Sequence, residues 1–170
     1  IVGYDNRFLS RRFARAIAEV IAGNNISVSV FPRSTPTPVV THTTMSTGAY
    51  LGIIVTASHN PPKYNGIKIQ LEGGYPITDD IANSLAREAN SLTPSNIIKS
   101  SFELGKQANV IEERDYTNSY IDDVESMIDM DAIREAGLRV LLDPMYGVGQ
   151  VTLETVLTEA RCQITTIHER

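Results

Sequence analysis

Ala49-Tyr50-Leu51-Gly52-Ile53-Ile54-Val55-Thr56-Ala57-Ser58-His59-Asn60-Pro61-Pro62 is the stretch on which the fold turns. Ala49–Val55 is a nearly continuous apolar run of strand length, the pattern of a parallel strand covered on both faces. It ends abruptly in a polar loop that carries Ser58 and is stiffened by Pro61-Pro62. Beyond the loop, Ile67, Ile69 and Leu71 alternate with Lys68, Gln70 and Glu72, predicting a strand with an inward apolar and an outward polar face. Gly73-Gly74 then closes a hairpin against Tyr75–Ile77.

Towards the N-terminus, Ile1–Tyr4 predicts a short buried strand and Asp5-Asn6-Arg7 a polar loop. Ser10 suits a helix N-cap, and Phe13, Ile17, Val20 and Ile21 form an amphipathic stripe that stops at Gly23-Asn24. Ser27–Phe31 alternates as a strand, a Pro-rich loop follows, and Val39–Ser46 is a weaker helix.

Towards the C-terminus, Thr78 with Asp79 and Asp80 opens a helix whose buried stripe is Ile81, Leu85, Ala89 and Leu92. Residues 93–112 read as an irregular polar connection. Asp115 opens a third helix with Tyr116, Tyr120, Val124, Met127 and Ile128 inward. After Gly137 the pattern restarts as strand Leu138–Leu142, Gly-rich loop Asp143–Gly149, helix Val151–Ala160 and strand Gln163–Ile167. The expected class is α/β, a three-layer α/β/α arrangement on a mixed, mostly parallel sheet. The expected division is residues 1–136 as one domain and 137–170 as the opening βαβ portion of a second.

Composition narrows the function. Among 170 residues the formal net charge is −5, which argues against a general nucleic-acid binder. No apolar run reaches the roughly 20 residues that cross a bilayer, and no secretory leader pattern is visible. The single cysteine, Cys162, excludes an internal disulfide, so a reducing, cytoplasmic setting is expected.

In open α/β sheets ligands bind outside the carboxyl ends of the strands. Parallel pairing of the first three strands would bring Asp5–Arg7, Arg33-Ser34-Thr35 and Thr56–Asn60 to one edge, with Lys68 returning beside them. Such a set suits phosphoryl transfer, where catalysis is positioning and charge stabilisation. Arg7 would clamp phosphate oxygens, and Lys68 with a lowered pKa would take a hydroxyl proton. His59 would bond a phosphate oxygen or shuttle protons, and backbone N–H groups around Ser58 would form an anion nest. Each residue also has an ordinary reading: Ser58 as a turn residue, Lys68 as a solvated strand lysine, Arg7 as the partner of Asp5. His42 and His168 read as structural. A serine hydrolase lacks support, since there is no Gly-x-Ser-x-Gly elbow. His59, the chain neighbour of Ser58, is also expected to turn its ring away from the hydroxyl.

Thr56-Ala57-Ser58-His59-Asn60-Pro61, followed by Tyr64-Asn65-Gly66-Ile67-Lys68, closely resembles the active-site signature of the α-D-phosphohexomutases. Gly3-Tyr4-Asp5-Asn6-Arg7 is similar to that family's first strand and arginine loop, and Asp143-Pro144-Met145-Tyr146-Gly147-Val148-Gly149 to the start of its second domain. The resemblance implies a phosphoserine at Ser58 that passes its phosphoryl group to a hexose phosphate. A bound hexose 1,6-bisphosphate would reorient and return the group, interconverting hexose 1-phosphate and hexose 6-phosphate. It also implies Lys68 as general base, Arg7 as active-site arginine, His59 and Asn60 beside the serine, and Mg²⁺ bridging the phosphoserine to aspartates. The family's Asp-Gly-Asp metal loop, its sugar-reading Gly-Glu-x-Ser-Gly loop and its Arg-x-Ser-Gly-Thr phosphate loop are not found here. The expectation is therefore a fragment, first domain plus the start of the second, with weak Mg²⁺ binding and negligible turnover by itself. Thr56-Ala57 leans towards the glucose and mannose enzymes over the glucosamine ones, and oligomeric state is open. The alternative is a non-catalytic sugar-phosphate-binding module on the same fold.

Overall fold

The computed structural model describes residues 1–169. Five strands make the main sheet: β1 (Val2–Tyr4), β2 (Val28–Val30), β3 (Leu51–Val55), β4 (Ile67–Leu71) and β5 (Ile111–Glu113). Their order is β4-β3-β1-β2-β5, with β4 antiparallel to β3 and every other pairing parallel. Helices α1 (Ser10–Gly23), α2 (Thr37–Ser46), α3 (Asp79–Ser91), α4 (Phe102–Gln107), α5 (Thr117–Ser126) and α6 (Met130–Ala136) accompany them. A separate parallel pair, β6 (Arg139–Leu142) and β7 (Gln163–Thr166), is joined by α7 (Gln150–Glu159). The class is the expected α/β one, a mixed and mostly parallel sheet with helices on both sides.

Two apolar clusters hold the layers together. On one face Ala14, Ala18 and Ala22 of α1 meet Val2, Val28, Val30 and Val55, with Phe102 from α4. On the other, Val39 and Val40 of α2 pack on Phe31 and Ile54, with Tyr116 and Tyr120 at the margin. The small alanines let α1 lie close to the sheet. They, rather than the larger apolar residues, therefore define its innermost line, and Ile17 and Ile21 pack beside it. Phe13 and Val20 instead stay 42% and 36% exposed, with Ile53 and Ile67 around an open apolar hollow of about 670 Å³.

Several sequence expectations change. Ser10 is the first residue of α1, not its cap: Leu9 holds that position in a left-handed conformation, and buried Ser10 donates to Asp5 instead. Thr78 stands at the N-cap of α3 but makes no side-chain capping bond. No residue of α3 is buried, since its stripe finds no element to cover it among the described residues. Residues 93–112 are not an irregular connection: they contain α4, capped by Ser101, and most of β5. Buried Phe102 and Ile111 anchor these pieces, which are too short to show a period. The third helix begins at Thr117, where Asp115 accepts from both the amide and the hydroxyl of Thr117. Thr117 and Ile121 form its buried line, and Met127 is 76% exposed.

The two faces of β4 are not divided as expected: Gln70 of the polar face is buried, while Lys68 is exposed and Ile69 is half-buried. The β4 register pairs Lys68 with Ile54 and Gln70 with Gly52. Gln70 is buried and donates to Thr41 Oγ1 at 2.7 Å, whereas Ile67 and Leu71 are exposed. The covering helix α2 presents threonines to the strand at this point, so it accepts an amide where an apolar side chain was expected.

Candidate active site

Because β1, β2 and β3 run parallel, their carboxyl ends deliver three loops to the same edge of the sheet. A cavity of about 680 Å³ opens there, lined among others by Asp5, Thr35, Thr56, Ser58 and His59, and from the second sheet's loop by Met145. The expected meeting of the three loops is observed, and the loop after β6 joins them. Asn6 Nδ2 donates to the Tyr146 carbonyl at 2.7 Å and ties the two regions together.

The serine loop is built up from a few buried hydrogen bonds. Thr56, buried at the end of β3, donates its hydroxyl to Asp5 Oδ2 at 2.6 Å and accepts the Ser58 amide at 3.0 Å. Asp5 Oδ1 takes the Arg7 amide and the Ser10 hydroxyl, each at 2.9 Å. Both carboxylate oxygens are thus committed to the scaffold. Ser58 itself sits at φ 54°, in the left-handed region where a residue with a Cβ costs about 1–2 kcal/mol. A conformation of this kind persists only where its surroundings hold it.

Arg7 is the principal holder. Its Nη1 donates to the carbonyls of Pro61 and Tyr64 at 3.0 and 3.1 Å. Its Nη2 donates to the carbonyls of Ser58 and Asn60, both at 2.7 Å. Nε lies 3.3 Å from Asp5 Oδ2, and the side chain is only 14% exposed. Hydrogen bonds to a charged group contribute about 1.5–3 kcal/mol each, so this cluster outweighs the strain at Ser58.

The remaining site residues fall differently from expectation. Ser58 and His59 are both drawn into the cavity lining, and His59 Nδ1 lies 3.3 Å from Ser58 Oγ rather than turned away. The left-handed turn at Ser58 brings the neighbouring ring back over its hydroxyl. Asn60 Nδ2 donates to the Ala57 carbonyl at 3.0 Å, closing the turn. The anion nest is reduced, because the Ser58 and Asn60 amides are spent inside the loop. Lys68 lies opposite Ile54, one residue from the end of β3. It is exposed and forms no ion pair with another described residue. Arg33 pairs with Asp115 at 2.6 Å, away from Ser58. His42 pairs with Asp123 at 2.6 Å and His168 with Asp143 at 3.0 Å, in keeping with structural roles.

Sequence reasoning overlooked Asp5 and Thr56 as the scaffold of the serine loop, and Asn6 as its link to Tyr146. Asp-x-Arg at a strand end carried the signal, since an Asp there accepts the amide two residues on.

The family model for the alpha/beta/alpha domain I of phosphoglucomutase/phosphomannomutase matches residues 1–96, and that for domain II matches residues 118–170. The chain belongs to the phosphoglucomutase/phosphomannomutase family. A phosphoglucomutase of Komagataeibacter xylinus is 32% identical over 157 residues, covering 86% of this chain and 28% of that protein. A phosphoglucomutase of Staphylococcus saprophyticus is likewise 32% identical, over 94% of this chain and 29% of its own length. Among solved structures, a Thermus thermophilus protein named as a phosphomannomutase superposes with a TM-score of 0.80 at 27% identity. It matches 98% of this chain and 36% of its own. The chain therefore spans about a third of the length of these phosphohexomutase relatives or less.

Proposed function

We propose that this chain is the serine-bearing part of a phosphohexomutase that interconverts hexose 1-phosphate and hexose 6-phosphate. The observation that carries the reading is Ser58, presented by a strained, tightly held loop into a cavity with His59 Nδ1 3.3 Å from its hydroxyl. Family membership and the names of the relatives support the same class of chemistry.

In the proposed cycle Ser58 Oγ carries a phosphoryl group. A hydroxyl of the bound hexose phosphate attacks phosphorus, the Oγ–P bond breaks, and a hexose 1,6-bisphosphate forms. The hydroxyl proton passes to Lys68, the cation on the strand that returns from the loop. The departing serine oxygen takes a proton from His59, the ring within its reach. After the sugar turns over, the steps run in reverse at its other end. Asn60 would contact the sugar phosphate through the side-chain oxygen left over from its own turn.

Mg²⁺ is the expected cofactor, supplying positive charge to a phosphoryl group under transfer. The residues present do not form a cage for it. Both oxygens of Asp5 are engaged, and no group of three metal-binding side chains occurs among the described residues. In the proposal its carboxylates come from other parts of the protein, and residues 1–136 and 137–170 fold as successive domains. No described helix is long and apolar enough to cross a membrane. We place the enzyme in the cytoplasm, the reducing setting suggested by the single cysteine of this stretch, Cys162.

The test is mutase activity of the full-length protein, wild type against Ser58→Ala, with glucose 1-phosphate or mannose 1-phosphate, Mg²⁺ and a trace of the bisphosphate. Loss of several orders of magnitude in kcat is expected, since the variant cannot carry the phosphoryl group. Full activity in the variant would exclude Ser58 as the phosphoryl carrier, and no activity in either protein would leave the non-catalytic sugar-phosphate-binding reading.

A further inference from the structure

The four carbonyls bound by Arg7 belong to four peptide units: Ser58–His59, Asn60–Pro61, Pro61–Pro62 and Tyr64–Asn65. In a trans peptide the N–H points opposite to its C=O, and the chain contains no cis bond among the described residues. Each carbonyl turned in to the guanidinium would therefore turn an N–H out. Two of these units, however, precede prolines and have no N–H. Pro61 and Pro62 thus let the backbone wrap Arg7 without turning orphan donors outward. The Ser58 carbonyl turned to Arg7 leaves the His59 N–H turned away from it, on a residue that lines the cavity. Arg7 also lines that cavity, but all four terminal N–H groups are spent on carbonyls and Nε faces Asp5.

We infer that Arg7 is a positioning residue and not a phosphate ligand. Four carbonyl bonds shape the loop so that Ser58 Oγ and the His59 N–H face the cavity together. This rests on the phosphoserine reading for its kinetic consequence, but not for its structural one. A lysine cannot substitute, since an ammonium has three donors at a point and cannot span four carbonyls in a plane.

The experiment uses the full-length protein with Arg7→Lys and Arg7→Ala. Amide hydrogen exchange is read at Ser58, Asn60 and Tyr64, whose N–H groups are bonded within the loop. In Arg7→Lys exchange there should accelerate at least about tenfold while the α1 amides stay protected. The kinetic readout should show kcat lower by about 10²-fold, the scale of a misplaced reacting group, with KM for hexose 1-phosphate within about threefold. Added guanidinium ion should restore part of the kcat of Arg7→Ala and none of the kcat of Ser58→Ala. Unchanged exchange in Arg7→Lys, or a KM raised about tenfold or more with kcat retained, would overturn the inference. Failure of the phosphoserine reading shows separately, as full activity of Ser58→Ala. If Arg7→Ala does not fold, Arg7→Lys decides through exchange and KM.

Discussion

Among single residues, the site is a chain of short side chains that spend their hydrogen bonds on one another. Thr56 both gives and receives: its hydroxyl proton goes to Asp5 and its lone pair holds the Ser58 amide. Replacing it with valine keeps shape and burial but strands the Ser58 N–H and leaves Asp5 Oδ2 with Arg7 Nε alone. Thr56→Val should therefore lose about 1–3 kcal/mol of stability, and Thr56→Ser much less. Denaturant titration of both variants checks this, and equal losses would mean that the methyl group matters as much as the hydroxyl. The same bonds explain what could be read directly from residues. A serine, a histidine and an arginine near one edge were visible as a set. That Arg7 faces inward was not, because no local pattern distinguishes a guanidinium bound to carbonyls from one awaiting phosphate.

Among the elements, β3 shows how close packing sets identity at a position. Gly52 lies buried beneath α2, and a Cβ built there would collide with the Thr44 side chain and crowd Gln70. Gly52→Ala should cost about 1–3 kcal/mol through overpacking, read as a lower Tm with the fold's circular dichroism retained. A neutral result would show that α2 can shift outward. The strong periodic elements, α1 and the apolar run of β3, were legible because burial repeats along them. Elements such as β5, with three residues, and α4, with six, were not. Their stability comes from Phe102 and Ile111 meeting the first cluster, a long-range contact that leaves no local period.

Across the molecule as a whole, the loop after β6 meets the serine loop through Asn6 and the Tyr146 carbonyl. That loop passes through two consecutive left-handed residues, Met145 and Tyr146. Asp143 supports it. The Met145 amide and then the His168 ring hold the Asp143 carboxyl below its ordinary value of 3.8. A depressed carboxylate stabilises the folded loop above its unfolded pKa, and that support is lost as pH falls through the lower folded value. On acidification below about 3.8, the Tyr146 amide should lose protection against exchange, and Asp143→Asn should remove that dependence. An identical acid profile in the variant would exclude Asp143 as the support.

Local pattern in the chain was enough for the class of fold, the strands that frame the site, the edge where their loops gather and the serine on the sharpest of those loops. Each depends on local period, turn chemistry or a motif whose residues are adjacent in the chain. Folding in three dimensions was needed to set that Gln70 of β4 is buried, that α3 lies uncovered among the described residues, and that His59 folds back over Ser58. It also set Arg7 against the carbonyls of residues 58–64. These outcomes depend on which groups, distant in sequence, meet at a limited number of donors and a limited area of apolar surface.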